Sequence, residues 1–127
     1  MTISIIDNIV KVEISIFDNR GDEMARMKFQ TLTEQMFYIL LCLKNECCGI
    51  DIMGKVSKMT DERVQIGSGT LYNLLEQFLE AEMIEETKVE GRRRSYILTE
   101  KGTEALQKER ERLLKQVSDY DMIFKTL

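Results

Sequence analysis

Two short stretches of this sequence carry groups suited to chemistry with a polyanion. Arg92-Arg93-Arg94 sets three guanidinium groups side by side, with Lys88 shortly before them. A guanidinium is permanently charged and presents a fork of N–H donors that matches phosphate geometry. Upstream, Ser68-Gly69-Thr70-Leu71-Tyr72-Asn73 mixes hydroxyl, phenol and amide groups, with Gly67 and Gly69 leaving room for close backbone approach. Side chains of these types read base edges or bind phosphate oxygens. An arginine run at a turn is often only a solvated loop, so its meaning depends on the elements around it.

Other chemistries find little support. The chain has no His, which removes the commonest general acid/base and metal ligand. Cys42, Cys47 and Cys48 are odd in number and two are adjacent, so they make no disulfide framework and no zinc site. Glu46 would raise a neighbouring thiol pKa, so the cysteines read as small apolar packing residues and not as a redox switch. No nucleophile–base pair or phosphate loop is visible, and no catalytic residue, metal or cofactor is expected. The 127 residues suit one domain with an appendage, and 43% apolar content is enough for a core. The N-terminus lacks the basic region of a signal peptide, and no apolar run approaches the length of a membrane span, so a reducing cytoplasm is the expected compartment. The net charge of −4 argues mildly against nucleic acid. A polyanion responds to the local field, however, and residues 84–99 gather Lys88 and Arg92 to Arg94.

The elements that must position these groups follow from periodicity. Val10, Val12, Ile14 and Ile16 alternate with Lys11, Glu13 and Ser15, as in a half-buried strand, and Asp18-Asn19-Arg20-Gly21-Asp22 suits a turn. Residues 23–29 fit a returning strand or a helix. Thr33 is the N-cap of a helix over 33–46, with Met36, Ile39, Leu40 and Leu43 on one face. Ile52, Val56 and Met59 mark a second helix over 50–59. Leu71, Leu74, Leu75, Phe78 and Leu79 give the cleanest stripe, a third helix over 68–81. Ile84 to Val89 and Arg94 to Leu98 form the arms of a β-hairpin with Glu90-Gly91-Arg92 at its tip. Lys101-Gly102 reads as a junction before a long charged helix over 103–124. There Leu106, Leu113 and Tyr120 recur at heptad spacing, with Val117, Ile123 and Phe124 nearby. Glu109, Arg110 and Gln116 occupy the companion positions, which argues against a coiled coil. The helix is expected to pack partly on its own domain and partly on a partner.

Three helices followed by a hairpin is the order of a winged helix-turn-helix, so the expected class is α+β and mostly helical. In that architecture the third helix enters the major groove, and the hairpin, or wing, lies beside it. The DNA-contacting candidates are then Ser68, Gly69, Thr70, Tyr72 and Asn73 at the helix start, and Lys88, Arg92, Arg93 and Arg94 on the wing. Glu76 and Glu80 repel phosphate, so only the N-terminal end of the helix should touch DNA, unless Glu76 accepts from a cytosine amine.

Four stretches resemble the PadR-like transcriptional regulators. Leu32-Thr33 through Leu43 is similar to that family's opening helix. Cys48-Gly49-Ile50-Asp51-Ile52 matches its Gly-Tyr-x-Ile stretch, with Ile50 where an aromatic is usual. Gly69-Thr70-Leu71-Tyr72-Asn73-Leu74-Leu75 matches Gly-Thr-Leu-Tyr-Pro-x-Leu, with Asn73 in place of Pro. Arg94 to Gly102 matches Arg-x-Tyr-x-Leu-Thr-x-x-Gly. The resemblance implies a dimeric bacterial repressor whose C-terminal helix contributes to dimerisation, with an effector of unknown identity near that interface. It divides the chain into an N-terminal extension 1–31, a winged helix-turn-helix domain 32–102 and a C-terminal helix 103–127. Leu106, Leu113, Val117, Tyr120, Ile123 and Phe124 are the interface candidates.

The combined reading is a cytoplasmic homodimer that binds a near-palindromic operator in double-stranded DNA and represses transcription. The alternative is a winged-helix module that binds a protein through its acidic face at Glu76, Glu80 and Glu82.

Overall fold

Thr33 opens the first helix as expected. Its Oγ1 accepts from the Met36 N–H at 3.2 Å, and Glu34 complements the dipole of helix α1, Glu34–Cys42. The computed structural model describes residues 31–125, so the hairpin expected within 1–30 lies outside the described residues. Helix α1 stops at Cys42 and does not reach residue 46. The carbonyl of Leu43 accepts from the Leu98 N–H at 2.8 Å, and the chain beyond it extends into a short strand β1, Cys47–Cys48. A strand this short has no periodicity of its own, so nothing in the sequence announces it.

Helix α2, Gly49–Met59, buries Ile52 and Val56. Thr60 ties its end to the next loop: its hydroxyl donates to the Val56 carbonyl at 2.8 Å and accepts from the Val64 N–H at 3.0 Å. Helix α3, Ser68–Glu80, buries Leu71, Leu74, Leu75 and Phe78, the stripe read from the sequence. It ends with Glu82 in the left-handed region at φ 60. The Glu82 and Met83 N–H groups bond back to the Leu79 and Phe78 carbonyls at 3.0 and 2.9 Å. These are the paired bonds of a Schellman end, and they turn the chain sharply into the wing.

The wing consists of β2, Ile84–Glu90, and β3, Arg93–Leu98, in an antiparallel sheet of order β1-β3-β2. Glu90 stands opposite Arg93, so Gly91, at φ 63, and Arg92 alone make the turn. Arg93 and Arg94 therefore belong to β3 and not to the tip, which fixes their backbones in a hydrogen-bonded ladder. Tyr96 is 3% exposed and joins Ile39, Leu40, Leu43, Ile52, Val56, Leu71, Leu75 and Phe78 in the core. Full burial of an aliphatic or aromatic side chain of this size contributes about 1.5–3 kcal/mol. This α+β, mostly helical arrangement is a winged helix-turn-helix followed by one long helix.

That helix, α4, spans Glu100–Phe124 and begins before residue 103. Thr99 is its N-cap, accepting from the Gly102 N–H at 3.1 Å, so Gly102 lies in the first turn and not at a junction. A Cβ on Gly102 would stand 2.1 Å from the Met83 carbonyl oxygen. Only glycine lets α4 cross so closely over the turn that leaves α3.

Glu109 is the buried charge of the described residues, 3% exposed. One carboxylate oxygen accepts from the Leu32 N–H at 3.1 Å, and Arg112 Nε donates to both oxygens at 2.8 and 3.0 Å. Arg112 in turn donates to Gln116. The polar residue that interrupts the heptad is thus a clasp joining α4 to the start of α1. The Arg112 guanidinium holds the Glu109 carboxyl below its ordinary range, outweighing the opposing effect of burial, and the Leu32 N–H adds to it. A carboxyl with a depressed folded pKa stabilises above its unfolded pKa, and that stability is lost as pH falls through the folded value. Glu109→Gln should cost about 1–2 kcal/mol at neutral pH. The gap in melting temperature from wild type should close as pH falls below roughly 4, the ordinary carboxylate range. Melting curves from pH 7 to pH 3 check this; a gap that persists at low pH would mean the charge of Glu109 is not what stabilises.

Candidate nucleic-acid interface

Helix α3 differs from its neighbours at its N-terminus. Helices α1, α2 and α4 carry Glu34, Asp51 and Glu100 in their first turns. Helix α3 has no acidic residue there, and Gly67 at its N-cap offers no side-chain acceptor. Ser68, Gly69 and Thr70 are exposed. The first-turn N–H groups and the positive end of the dipole are thus left open to an anion.

The buried stripe sets the orientation of this helix. With Leu71, Leu74 and Leu75 inward, Tyr72, Asn73 and Glu76 stay outward and exposed. Gly49, at the start of α2, sits against Leu75, Tyr96 and Tyr72: a Cβ there would lie 3.4–3.5 Å from each. Burial pushes the Tyr96 phenol up, and the neighbouring Arg94 draws it partly back. Tyr96 thus anchors the wing on the core while its phenol meets Arg94.

Between α3 and the wing lies a cleft of about 380 Å³, lined by Tyr72, Asn73 and Glu76 on one side and Arg92, Arg93 and Arg94 on the other. The structure thereby brings together five of the nine DNA-contacting candidates, with Glu76 beside them. Ser68, Gly69 and Thr70 lie at the helix start outside the cleft lining, as does Lys88 on β2. Lys88 lies 3.7 Å from Glu90, Arg93 lies 3.5 Å from Asp51, and Arg94 lies 3.6 Å from Glu86. The sequence reading missed Asp51, because α2 meets the wing only in the folded chain.

Of the three cysteines, Cys48 joins the lining of this cleft. All three are free thiols; Cys47 is buried, and burial pushes the half-buried Cys42 thiol up. That shift opposes thiolate formation, on which cysteine reactivity depends.

The long helix divides into two parts. Its first half packs on α1 and β3, and Leu106 is half-buried there. From Arg110 to Lys125 every residue is exposed. Leu113, Val117, Tyr120 and Phe124 recur along one face of this second half with Ile123 at its edge; Leu114 and Met122, which the heptad reading passed over, are exposed as well but lie off that stripe. The Tyr120 and Phe124 rings pack with centroids 4.7 Å apart.

The sequence model of the transcriptional regulator PadR-like family matches residues 39–108, over half of the chain. The chain belongs to the PadR-like family of transcriptional regulators. Among curated proteins none matches it in sequence. Its fold is similar to a PadR family transcriptional regulator from Eggerthella lenta, with a TM-score of 0.61 at 16% identity, over 98% of this chain and 99% of that one. It is also similar to a PadR-like transcription factor from Bacteroides fragilis, with a TM-score of 0.60 at 24% identity, over 79% of this chain and 96% of that one. A transcriptional regulator from Clostridium thermocellum gives a TM-score of 0.58 at 23% identity, over 68% and 90% of the two chains.

Within this PadR-like chain the Tyr-x-Leu-Thr-x-x-Gly stretch has a structural meaning. Tyr96 fills the core under the wing, Thr99 caps α4, and Gly102 permits the close crossing. The Gly-Thr-Leu-Tyr stretch is mixed: Leu71 anchors α3, while Gly69, Thr70 and Tyr72 are exposed.

Proposed function

We propose that this PadR-like regulator binds double-stranded DNA as a homodimer and represses transcription from a near-palindromic operator in a bacterial cytoplasm. The observation that carries this reading is the cleft in which Tyr72 and Asn73 of α3 face Arg92, Arg93 and Arg94 of the wing. Ser68, Gly69 and Thr70 at the uncapped start of α3 meet phosphate or a base edge, with Asn73 beside them. Lys88 and the wing arginines neutralise flanking phosphates. The domain 32–102 carries this surface. The C-terminal helix 103–127 pairs with its copy through Leu113, Val117, Tyr120, Ile123 and Phe124, with Leu106 at the inner edge. A two-fold dimer places two copies of α3 one helical turn apart on the duplex, or a multiple of it. A small-molecule effector, where one operates, would act near the dimer interface.

The test is binding to the duplex upstream of the protein's own gene, at two salt concentrations. Arg93→Ala and Arg94→Ala should each weaken operator and random DNA almost equally. Each should also reduce the salt slope by up to about one for every phosphate it no longer neutralises. Unchanged affinity and slope in the double variant would remove the wing from the interface. Asn73→Ala should instead relax preference at one position per half-site, most simply an adenine, and leave random-sequence affinity nearly intact. Selection of sites by wild type and variant reads this directly; identical motifs would remove Asn73 from base contact. Failure to bind any duplex at low salt would favour a protein partner on the exposed Glu76, Glu80 and Glu82 face.

A further inference from the structure

We propose that Asp51 and Glu86 compete with DNA phosphate for the wing arginines, and so hold down the affinity of this protein for DNA of arbitrary sequence. The proposal rests on the DNA-binding reading above and assigns a regulatory role to two carboxylates within it. Arg93 lies 3.5 Å from Asp51, Arg94 lies 3.6 Å from Glu86, and Lys88 lies 3.7 Å from Glu90. The cationic side chains of all three pairs are more than half exposed, so solvent and phosphate reach them. At these separations the pairs are at or beyond the limit of hydrogen bonding. They are loose charge contacts and do not clamp the arginines in one pose.

The consequence follows from charge. Lys88, Arg92, Arg93 and Arg94 are matched by Glu85, Glu86 and Glu90 on the same hairpin and by Asp51 from α2. A bare cluster of these cations would adsorb any duplex through counterion release. Here a phosphate that approaches Arg93 meets the Asp51 carboxylate as well, and two anions then crowd one guanidinium. The opposition is independent of base sequence. Appreciable binding must then come from contacts made by the start of α3, which depend on sequence. Asp51 is well placed for the task because it stands in the first turn of α2, which brings it to Arg93 from outside the hairpin.

A salt series of fluorescence-anisotropy titrations with a random-sequence duplex tests this on the full chain. Wild type, Asp51→Asn, Glu86→Gln, Arg93→Ala and the Asp51→Asn/Arg93→Ala double variant are compared, with melting temperature as the check on folding. Each carboxylate variant should bind the random duplex about five- to tenfold more tightly at low salt. Its log affinity should fall more steeply with log salt, by up to about one unit, the share of one further phosphate neutralised. Asp51→Asn should change binding much less when Arg93 is already Ala. Unchanged or weakened binding by folded Asp51→Asn and Glu86→Gln, beside a wild type that binds, would overturn the competition alone. An equal gain with and without Arg93 would overturn the pairing. No binding by wild type or any variant at low salt would overturn the DNA-binding reading, and this proposal with it.

Discussion

Tyr120→Glu combined with Ile123→Glu is expected to turn the proposed dimer into a folded monomer and to weaken operator binding by about 100-fold or more. The effect is large because of where these side chains lie. They are 62% and 70% exposed on the chain by itself, within the apolar stripe that also holds Leu113, Val117 and Phe124. In a two-fold dimer built on this stripe, each introduced carboxylate would lose water without gaining a partner. The effective penalty is several kcal/mol per ion, and symmetry doubles the count. In the monomer the same carboxylates remain in water on a helix that tolerates Glu well, so the winged domain keeps its fold. Operator affinity falls because two half-sites are no longer engaged by one linked molecule. Light scattering should show the mass halved, and anisotropy should show random-sequence binding much less affected than operator binding. A variant that remains dimeric would place the interface elsewhere, with residues 1–30 the next region to test.

Gly102→Ala is expected to be strongly destabilising, although glycine to alanine inside a helix ordinarily stabilises by about 0.5–1 kcal/mol. The added Cβ would overlap the Met83 carbonyl oxygen, 2.1 Å away, and press on Leu98 Cδ2 at 2.9 Å. A backbone carbonyl cannot swing aside as a side-chain end can. Relief requires α4 to move off the turn after α3, which strains the Thr99 N–H bond to the same Met83 oxygen. Overpacking of this severity costs about 3 kcal/mol or more, which lowers the melting temperature by at least roughly 10 °C in a domain of this size. Gly54→Ala is the matched control: it lies within α2 with nothing inside 4 Å of its Cβ position. That variant should gain about 0.5–1 kcal/mol. A Gly102→Ala protein as stable as Gly54→Ala would mean that α4 does not cross the turn at contact distance.

Periodicity along the chain is enough to settle the three helix stripes, the hairpin and the order in which they come. Leu71, Leu74, Leu75 and Phe78 recur at the helical period, and that period alone says which face of α3 is buried and therefore that Tyr72 and Asn73 face outward. These are local facts, set by neighbours within a turn or a strand. Folding settles what depends on residues distant in the chain. Cys47 and Cys48 become a strand only because Tyr96 and Ser95 offer them a ladder. Helix α1 ends at Cys42 because the Leu43 carbonyl is engaged by Leu98. Glu109, a polar interruption along the chain, becomes a buried clasp because Leu32 lies against it. In sequence its one hint is Arg112 on the next turn. Gly102 reads as a break because glycine usually marks one, yet a helix runs through it where two backbones come too close for any Cβ. The charge of the candidate site is the least legible feature. Arg93 is fixed in the sequence, but Asp51 reaches it from helix α2, and the field at a cation is set by distance in space and not along the chain.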